Sequence, residues 1–332
     1  MNIGLVITVR NEERLLRNNL LYHHQIGVDK AYVYFDGTTD HGRQSIEDLP
    51  FVEMNDSVSS QKYMECKFLD KFTSQAGGHH TARQCLNIFD ASVKAENEGL
   101  DWLISIDADE LVVTELQKLS NLKKFFKRIN SEYDAVKFEV REVIQARNHY
   151  QNVFEEETRF KAVHKQKRYS QNIFKKFYNP DTNSYEKFRF WYGHHAGKMA
   201  VRLNRGLIPY NVHRFIDKSG NKPNTKIVGW LLHYHSFDAE DFIKKYKNFS
   251  THPDTYLSGR KVENLKLLLI AVVNHCGMTV EDLEHYFNKN MMFNKQEIAN
   301  LWKNRYYFIF KRKKPVIMEI VSVRKAFKNI IE

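Results

Sequence analysis

The chain has 332 residues, 42% of them hydrophobic and 13% aromatic, which is enough to bury a large core and excludes general disorder. Its 51 Lys and Arg against 40 Asp and Glu leave a net charge of +11, an excess that suggests acidic partners such as phosphates, anionic lipid or nucleic acid. Three widely spaced cysteines, Cys66, Cys85 and Cys276, exclude a disulfide framework and a thiolate zinc site, and the longest apolar run, from Leu267 to Val273, is far too short to span a bilayer.

The chain opens on a run of strand formers from Ile3 to Val9, with no basic leader or cleavage site ahead of it, so a reducing, cytoplasmic compartment is expected. Asn11 stands where a helix N-cap belongs, with Glu12 and Glu13 in the first turn. Leu15, Leu16, Asn19, Leu20 and His23 follow at helical spacing, and Gly27 marks the stop. A second strand, Ala31 to Phe35, ends in Asp36 and a turn at Gly37. Strand, helix and strand make a mononucleotide-binding unit, whose terminal acid can accept hydrogen bonds from a ribose hydroxyl or a base N–H. Asp36 and Asp40 are equally suited to shaping the turn itself.

A short strand near Phe51 to Met54 precedes a helix predicted over Thr81 to Glu96, with Ala82, Cys85, Leu86, Phe89 and Val93 on one stripe. Arg83 lies off that stripe near the helix start, placed to grip a diphosphate or to stand as a solvated surface group.

The stretch from Trp102 to Leu111, WLISIDADEL, is a short apolar run ending in three acids. It reads as a buried parallel strand that delivers carboxylates to its C-terminal edge, where open α/β sheets bind ligands. If the chain stays extended, Asp107 and Asp109 point the same way about 6 to 7 Å apart, and can share one hard cation, Mg²⁺ or Mn²⁺, with its waters. The same acids would also suit a strand end that runs into a helix N-terminus.

A further strand is predicted over Ala135 to Val140, with Glu139 on it and Glu142 just after it. Lys198 and Arg202, four apart in GKMAVR, are candidates for phosphate contacts. Helix starts resembling capping boxes recur at Asp238 with Asp241, Thr279 with Asp282, and Asn294 with Glu297, so the C-terminal third reads as packed helices around Leu265 to Val273. Between Lys303 and Lys328 nine Lys or Arg face a single acid, Glu319. There Val316, Ile320, Val323, Phe327 and Ile330 predict one last amphipathic helix, which either docks on the fold as core or lies on an anionic membrane.

Several of these segments together carry a family resemblance. VRNEERLLRNNLLYHHQIGVDKAYVYFDGTTD, an Arg ahead of a W-L-x-x-I-D-A-D-E-L strand, GHHAGKMAVRLNRGLIPYNVHRF and LLHYHSFDAEDFIKKY resemble the glycosyltransferases of the GT-A fold, nearest the branch of families 2 and 92. The resemblance covers residues 1 to 250 in broken blocks, and its motifs occur in order. The second turn departs from the pattern, with Gly37-Thr38-Thr39 in place of a fuller Asn-Gly-Ser-Thr form.

The resemblance implies an α/β protein with a Rossmann-like, mixed and mostly parallel sheet flanked by helices. A catalytic domain would span residues 1–237, with a nucleotide-sugar half at 1–115 and an acceptor half at 116–237, and a helical C-terminal region would span 238–332. The implied activity is metal-dependent transfer of a sugar from a nucleotide sugar, a UDP-sugar foremost, to a glycan or lipid-linked acceptor in surface polysaccharide synthesis. Asp109 would bind Mn²⁺ or Mg²⁺ directly, and Asp107 would meet the ribose or a metal-bound water. Arg10, Asn11, Glu12, Asp36 and Arg83 would line the nucleotide. A histidine from the second half would complete the metal set, His213 as first choice and His233 or His235 as alternatives. His194 and His195 would belong to a loop ordering over the donor. Inversion at the anomeric carbon would need a carboxylate base, for which Glu139, Glu142 and Asp217 are candidates, whereas a retaining reaction would not.

Two other classes share parts of this pattern. A sugar-phosphate nucleotidyltransferase would use a similar sheet and acidic pair, with a Gly-rich basic loop where this chain has VRNEERLL. A non-catalytic nucleic-acid-binding protein would suit the charge, yet no RNP-like, zinc-finger or helix-turn-helix signature is present, so nucleic acid is not an expected partner.

Overall fold

A computed structural model describes residues 1–162, 196–303, 305–307, 313–315 and 317–331. The strands are β1 (Ile3–Val9), β2 (Lys30–Phe35), β3 (Val52–Asp56), β4 (Trp102–Ile106), β5 (Glu110–Val113), β6 (Ala135–Glu142), β7 (Arg159–Lys161), β8 (Met199–Arg202), β9 (Ile208–Asn211), β10 (Arg214–Ile216), β11 (Thr225–His233), β12 (Arg305–Tyr307), β13 (Lys313–Pro315) and β14 (Ile317–Glu319). The helices are α1 (Glu13–Gln25), α2 (Asp70–Thr73), α3 (His80–Asn97), α4 (Leu122–Lys127), α5 (Val153–Glu156), α6 (Ala239–Phe249), α7 (Asn264–Val273), α8 (Val280–Asn290), α9 (Lys295–Lys303) and α10 (Ser322–Ile331). Two compact units form, neither of them a single stretch of chain. One comprises Met1–Glu139, Ala196–Leu231 and Val321–Glu332, the other Val140–His195 and Leu232–Ile320.

The first unit is built on a sheet in the order β3-β2-β1-β4-β8-β6-β11-β5. β1 lies parallel to β2 and β4, and β2 to β3, while β8 runs antiparallel to both β4 and β6. The result is the mixed, mostly parallel GT-A arrangement, flanked by helices. All five residues of β4 are buried, as an apolar run requires when both faces of a strand are covered. α1 buries Leu15, Leu16 and Leu20, α3 buries Ala82, Cys85 and Leu86, and Gly27, at φ +116°, lets the chain turn out of α1.

The strand order has a direct consequence for ligands. The chain leaves β1 for β2 and β3, then returns on the other side of β1 as β4. The C-terminal ends of β1 and β4 therefore flank a topological switch point, the crevice in which open α/β sheets bind ligands.

α10 completes this unit by packing on α1. Val323, Ala326 and Phe327 are buried, and the Phe327 ring stacks on Tyr22 with centroids 6.2 Å apart. The helix begins later than its periodicity suggests. Ile317–Glu319 is strand β14, antiparallel to β7, because spacings of three and four cannot distinguish a helix from a β-branched strand followed by a helix. Val316 and the basic pair Lys311 and Arg312 lie outside the described residues.

The second unit holds the helical extension. α6, α7 and α8 enclose Phe242, Tyr246, Leu269 and Phe287, and a smaller cluster joins Ile144, Phe293, Ile298, Leu301 and Ile317. The three predicted caps all form. Asp238 accepts from the Asp241 N–H at 2.9 Å, Thr279 and Asp282 close a reciprocal box, and Asn294 and Glu297 exchange bonds of 2.8 and 2.9 Å. Among the described residues no helix is long and apolar enough to cross a membrane.

Candidate functional site

The loop after β1 is shaped by Asn11, which does not cap α1. Its backbone is left-handed, at φ +58°, a conformation that Asn tolerates better than most residues. Its Oδ1 accepts from the Thr39 N–H at 2.8 Å and from the Thr39 hydroxyl at 3.2 Å. Two residues on, the Glu13 N–H donates to Asp40 at 2.9 Å and the His41 N–H donates back to Glu13 at 2.9 Å. The loops following β1 and β2 are thus laced together. Glu12 occupies the N-cap position without a side-chain capping bond, and Arg10 and Glu12 are half-buried at the same strand end.

Asp36, at the end of β2, meets Arg83 in a two-pronged ion pair. Nε and Nη2 of Arg83 lie 2.6 and 2.8 Å from the two carboxylate oxygens, and Nη1 donates to the Ala76 carbonyl at 2.7 Å. Asp36 is 8% exposed. A planar fork on a carboxylate is among the stronger polar contacts available to a side chain, so this arginine is held in place.

After β4 the chain turns rather than staying extended. The Glu110 N–H donates to the Asp107 carbonyl at 3.1 Å, and the Asp107 N–H donates to Glu110 Oε2 at 2.8 Å. β5 follows at once, so these acids cap no helix. Asn19, fully buried in α1, donates its side-chain N–H groups to the carbonyls of Ala108 and Glu110, each at 2.8 Å. His23 receives the Val112 N–H on Nε2 at 3.2 Å, and the Tyr22 hydroxyl donates to the Val112 carbonyl at 2.9 Å. Asn19 and His23 therefore position the acidic turn. Their signal in the sequence is polar side chains on the buried stripe of a helix.

Asp107 is joined by Lys198 and Gln84. Lys198 Nζ, fully buried, lies 2.9 Å from one Asp107 oxygen and 3.8 Å from Glu110, while Gln84 donates to the other Asp107 oxygen at 2.6 Å. Gly197 precedes the lysine with φ +70°, and a Cβ there would collide with the Phe138 carbonyl. Desolvation pushes the Asp107 pKa up, but the Lys198 charge outweighs it and holds the carboxyl below its ordinary value. Burial works equally against the Lys198 charge, and Asp107, Glu110 and Asp109 together raise its pKa above the ordinary lysine value. His213 Nδ1 faces the Gly197 carbonyl at 2.9 Å. Desolvation, then the charge of Lys198, lowers His213 to about 4 and keeps it neutral near pH 7.

At the end of β11, His233 donates from Nδ1 to Glu142 Oε1 at 2.8 Å, and His235 Nε2 lies 3.4 Å from the Tyr246 hydroxyl. Asp109, His233 and His235 are each buried. Carboxylate and imidazole are both donors suited to a divalent ion such as Mn²⁺.

Arg202 pairs in register with Trp102, at the start of β4. It donates to the carbonyls of Tyr133, Ile129 and Asn130, and its guanidinium sits 4.4 Å over the Trp102 ring. Lys198 reaches the acidic turn and Arg202 does not. Asp217 accepts from the backbone of Ser219 and Asn221 and from the Asn221 side chain, shaping its own turn. Glu139 is half-buried on β6, and His194 and His195 lie outside the described residues.

The model of glycosyltransferase family 92 matches residues 8–269. Two glycosyltransferase-like proteins of Arabidopsis thaliana are similar. At2g41451 is 25% identical over 227 residues, 65% of this chain and 49% of that protein, and At3g57200 is 24% identical over 227 residues, 65% and 43% respectively. The chain spans about half the length of these curated relatives. Among solved structures, S. aureus TarS 1-349 aligns over 87% of this chain and 72% of that one, at 13% identity and a TM-score of 0.37. Glucosyl-3-phosphoglycerate synthase from Mycobacterium tuberculosis, in complex with Mn²⁺, UDP and glucosyl-3-phosphoglycerate, aligns over 76% and 81%, at 11% identity and a TM-score of 0.32.

Proposed function

Since the chain belongs to glycosyltransferase family 92, we propose that it transfers a sugar from a nucleotide sugar, a UDP-sugar foremost, to a glycan or lipid-linked acceptor, using a divalent ion. The observation that carries this reading is the acidic turn that follows β4, where the buried Lys198 ammonium lies 2.9 Å from Asp107 and holds its carboxyl below the ordinary value. When bound, Mn²⁺ or Mg²⁺ would supply Lewis-acid stabilisation for the charge that develops on a departing diphosphate.

Each side chain then has a task. Asp109 holds the ion with a histidine, His213 foremost, and Asp107, kept ionised by Lys198, is oriented toward a ribose hydroxyl or an ion-bound water. Lys198 adds fixed positive charge near the diphosphate. The Asp36–Arg83 pair and the Asn11 loop form the wall for the nucleotide, with Arg10 and Glu12 at its edge. Glu139 remains the carboxylate to act as base if the reaction inverts, because Asp217 is engaged in its own turn. A cytoplasmic enzyme of surface polysaccharide synthesis, in peripheral contact with an anionic membrane, is the biological setting we propose.

Calorimetric titration with UDP, GDP and their sugars, with Mn²⁺ and with chelator, tests the reading. Binding of a nucleoside diphosphate that requires the metal is the expected result. Failure of every nucleotide to bind in the presence of Mn²⁺ would overturn it.

A further inference from the structure

We propose that Gln84 is a positioning residue, which holds the Asp107 carboxylate ready to accept a hydroxyl of the nucleotide's ribose. The inference deepens the proposed function and rests on a nucleotide occupying the crevice between the ends of β1 and β4. α3 packs against β1, and two consecutive residues near its start, Arg83 and Gln84, reach strand-end acids on either side of that strand. Arg83 takes both oxygens of Asp36, after β2, and Gln84 donates from Nε2 to Asp107 Oδ1 at 2.6 Å, after β4. All of these residues belong to the first unit.

The other Asp107 oxygen, Oδ2, faces the buried Lys198 ammonium at 2.9 Å. With a donor on each oxygen, the carboxylate can neither rotate nor change rotamer without breaking one of the two contacts. Each carboxylate oxygen has two lone-pair sites, so one donor on each leaves capacity for a ligand. Lys198 also counters the carboxylate charge at close range, which weakens its pull on a second cation and suits it to a neutral donor. A ribose hydroxyl is such a donor. An acceptor fixed before the ligand arrives loses little freedom on binding, so the orientation that Gln84 maintains is read directly in affinity.

Calorimetric titration of the full chain, with Mn²⁺ present, compares wild type, Gln84→Met and Gln84→Asn against UDP, GDP and the 2′-deoxy and 3′-deoxy forms of each. A site that hydrogen-bonds a hydroxyl rejects the analogue lacking it, so wild type is expected to bind a ribonucleotide about tenfold or more tightly than one of its deoxy forms. Gln84→Met keeps the side-chain length and removes the donor. It should lose about tenfold in affinity for that ribonucleotide and bind the deoxy form as wild type does. A merely structural role would weaken both alike and leave their ratio unchanged. Gln84→Asn keeps the amide on a stem one methylene shorter, and should lose discrimination in the same direction. Should Gln84→Met fail to fold, as judged by its thermal melt, Gln84→Asn decides alone. An unchanged ratio of ribonucleotide to deoxy affinity in the variants would overturn the proposal. So would a wild type that prefers neither hydroxyl. A wild type that binds none of these nucleotides would overturn the nucleotide reading, and the proposal with it.

Discussion

A buried hydrogen bond of 2.8 Å joins the side chain of Asn19 to the carbonyl of Ala108, 89 residues further along the chain. With its twin to Glu110, it anchors to α1 a turn that Asp107 and Glu110 close between themselves. Asn19→Leu would leave two buried carbonyls without their partner, at about 1 to 3 kcal/mol each. Urea denaturation is expected to show a loss of about 2 to 6 kcal/mol, and Mn²⁺ binding should weaken, because Asp109 lies between the two anchored carbonyls.

Asp109→Asn keeps the volume of the side chain and removes its charge. Loss of metal-borne stabilisation worth several kcal/mol corresponds to roughly a thousandfold or more in rate. Transfer should fall by at least about that factor in the variant. Wild-type protein stripped with chelator should fall as far and recover when Mn²⁺ is restored. Equal turnover in Asp109→Asn and wild type would remove Asp109 from the metal set.

The Asp36–Arg83 pair is expected to act as a unit. Arg83→Met alone strands a nearly buried carboxylate, and Asp36→Asn alone strands a half-buried guanidinium. The double variant should therefore be less destabilised than the sum of the two, with a coupling energy of about 1 to 3 kcal/mol by denaturant unfolding. Coupling near zero would mean that water replaces either partner freely.

Patterning predicted much of this geometry and missed what depends on distant partners. β1, β4 and α3 were legible because apolar runs and a helical stripe define them locally. The turn at Asp107 was not, since its closure depends on Glu110 and on Asn19 in another element. Lys198 and Arg202 look equivalent at a spacing of four, as neighbours on one helix face would be. On an extended chain the same spacing separates them by about 13 Å, which leaves one at the acidic turn and the other over Trp102. A histidine's orientation likewise depends on what its second nitrogen touches, a carbonyl for His213 and a carboxylate for His233. Neither partner can be inferred from spacing along the chain.

α10 is expected to contribute to the core, despite the basic residues around it. Phe327 is 3% exposed against Tyr22, and truncating a buried Phe to Ala typically costs about 3 to 5 kcal/mol. Phe327→Ala should show that loss by denaturation, whereas Lys328→Ala, on the exposed side, should stay within about 0.5 kcal/mol. A small effect of Phe327→Ala would mean that the helix detaches easily and leaves its apolar face for another partner.

His23 makes stability depend on pH. It is fully buried, faces the Asn19 oxygens with Nδ1 at 2.8 and 2.9 Å, and accepts the Val112 N–H on Nε2, so it must be neutral in the folded chain. Desolvation lowers it from 6.5 to about 4, against a smaller upward pull from its bond to Asn19. Between those values the unfolded chain binds the proton more readily, so stability is complete above about pH 6.5 and declines as pH falls toward about 4. At 1.36 kcal/mol per unit, the contribution is on the order of 3 kcal/mol. Unfolding by urea at pH 7.5 and 4.5 measures it, and His23→Gln, which cannot titrate, should lose less stability between the two than wild type does. His213 is shifted in the same direction, and an identical decline in His23→Gln would exclude His23 as the source of the dependence.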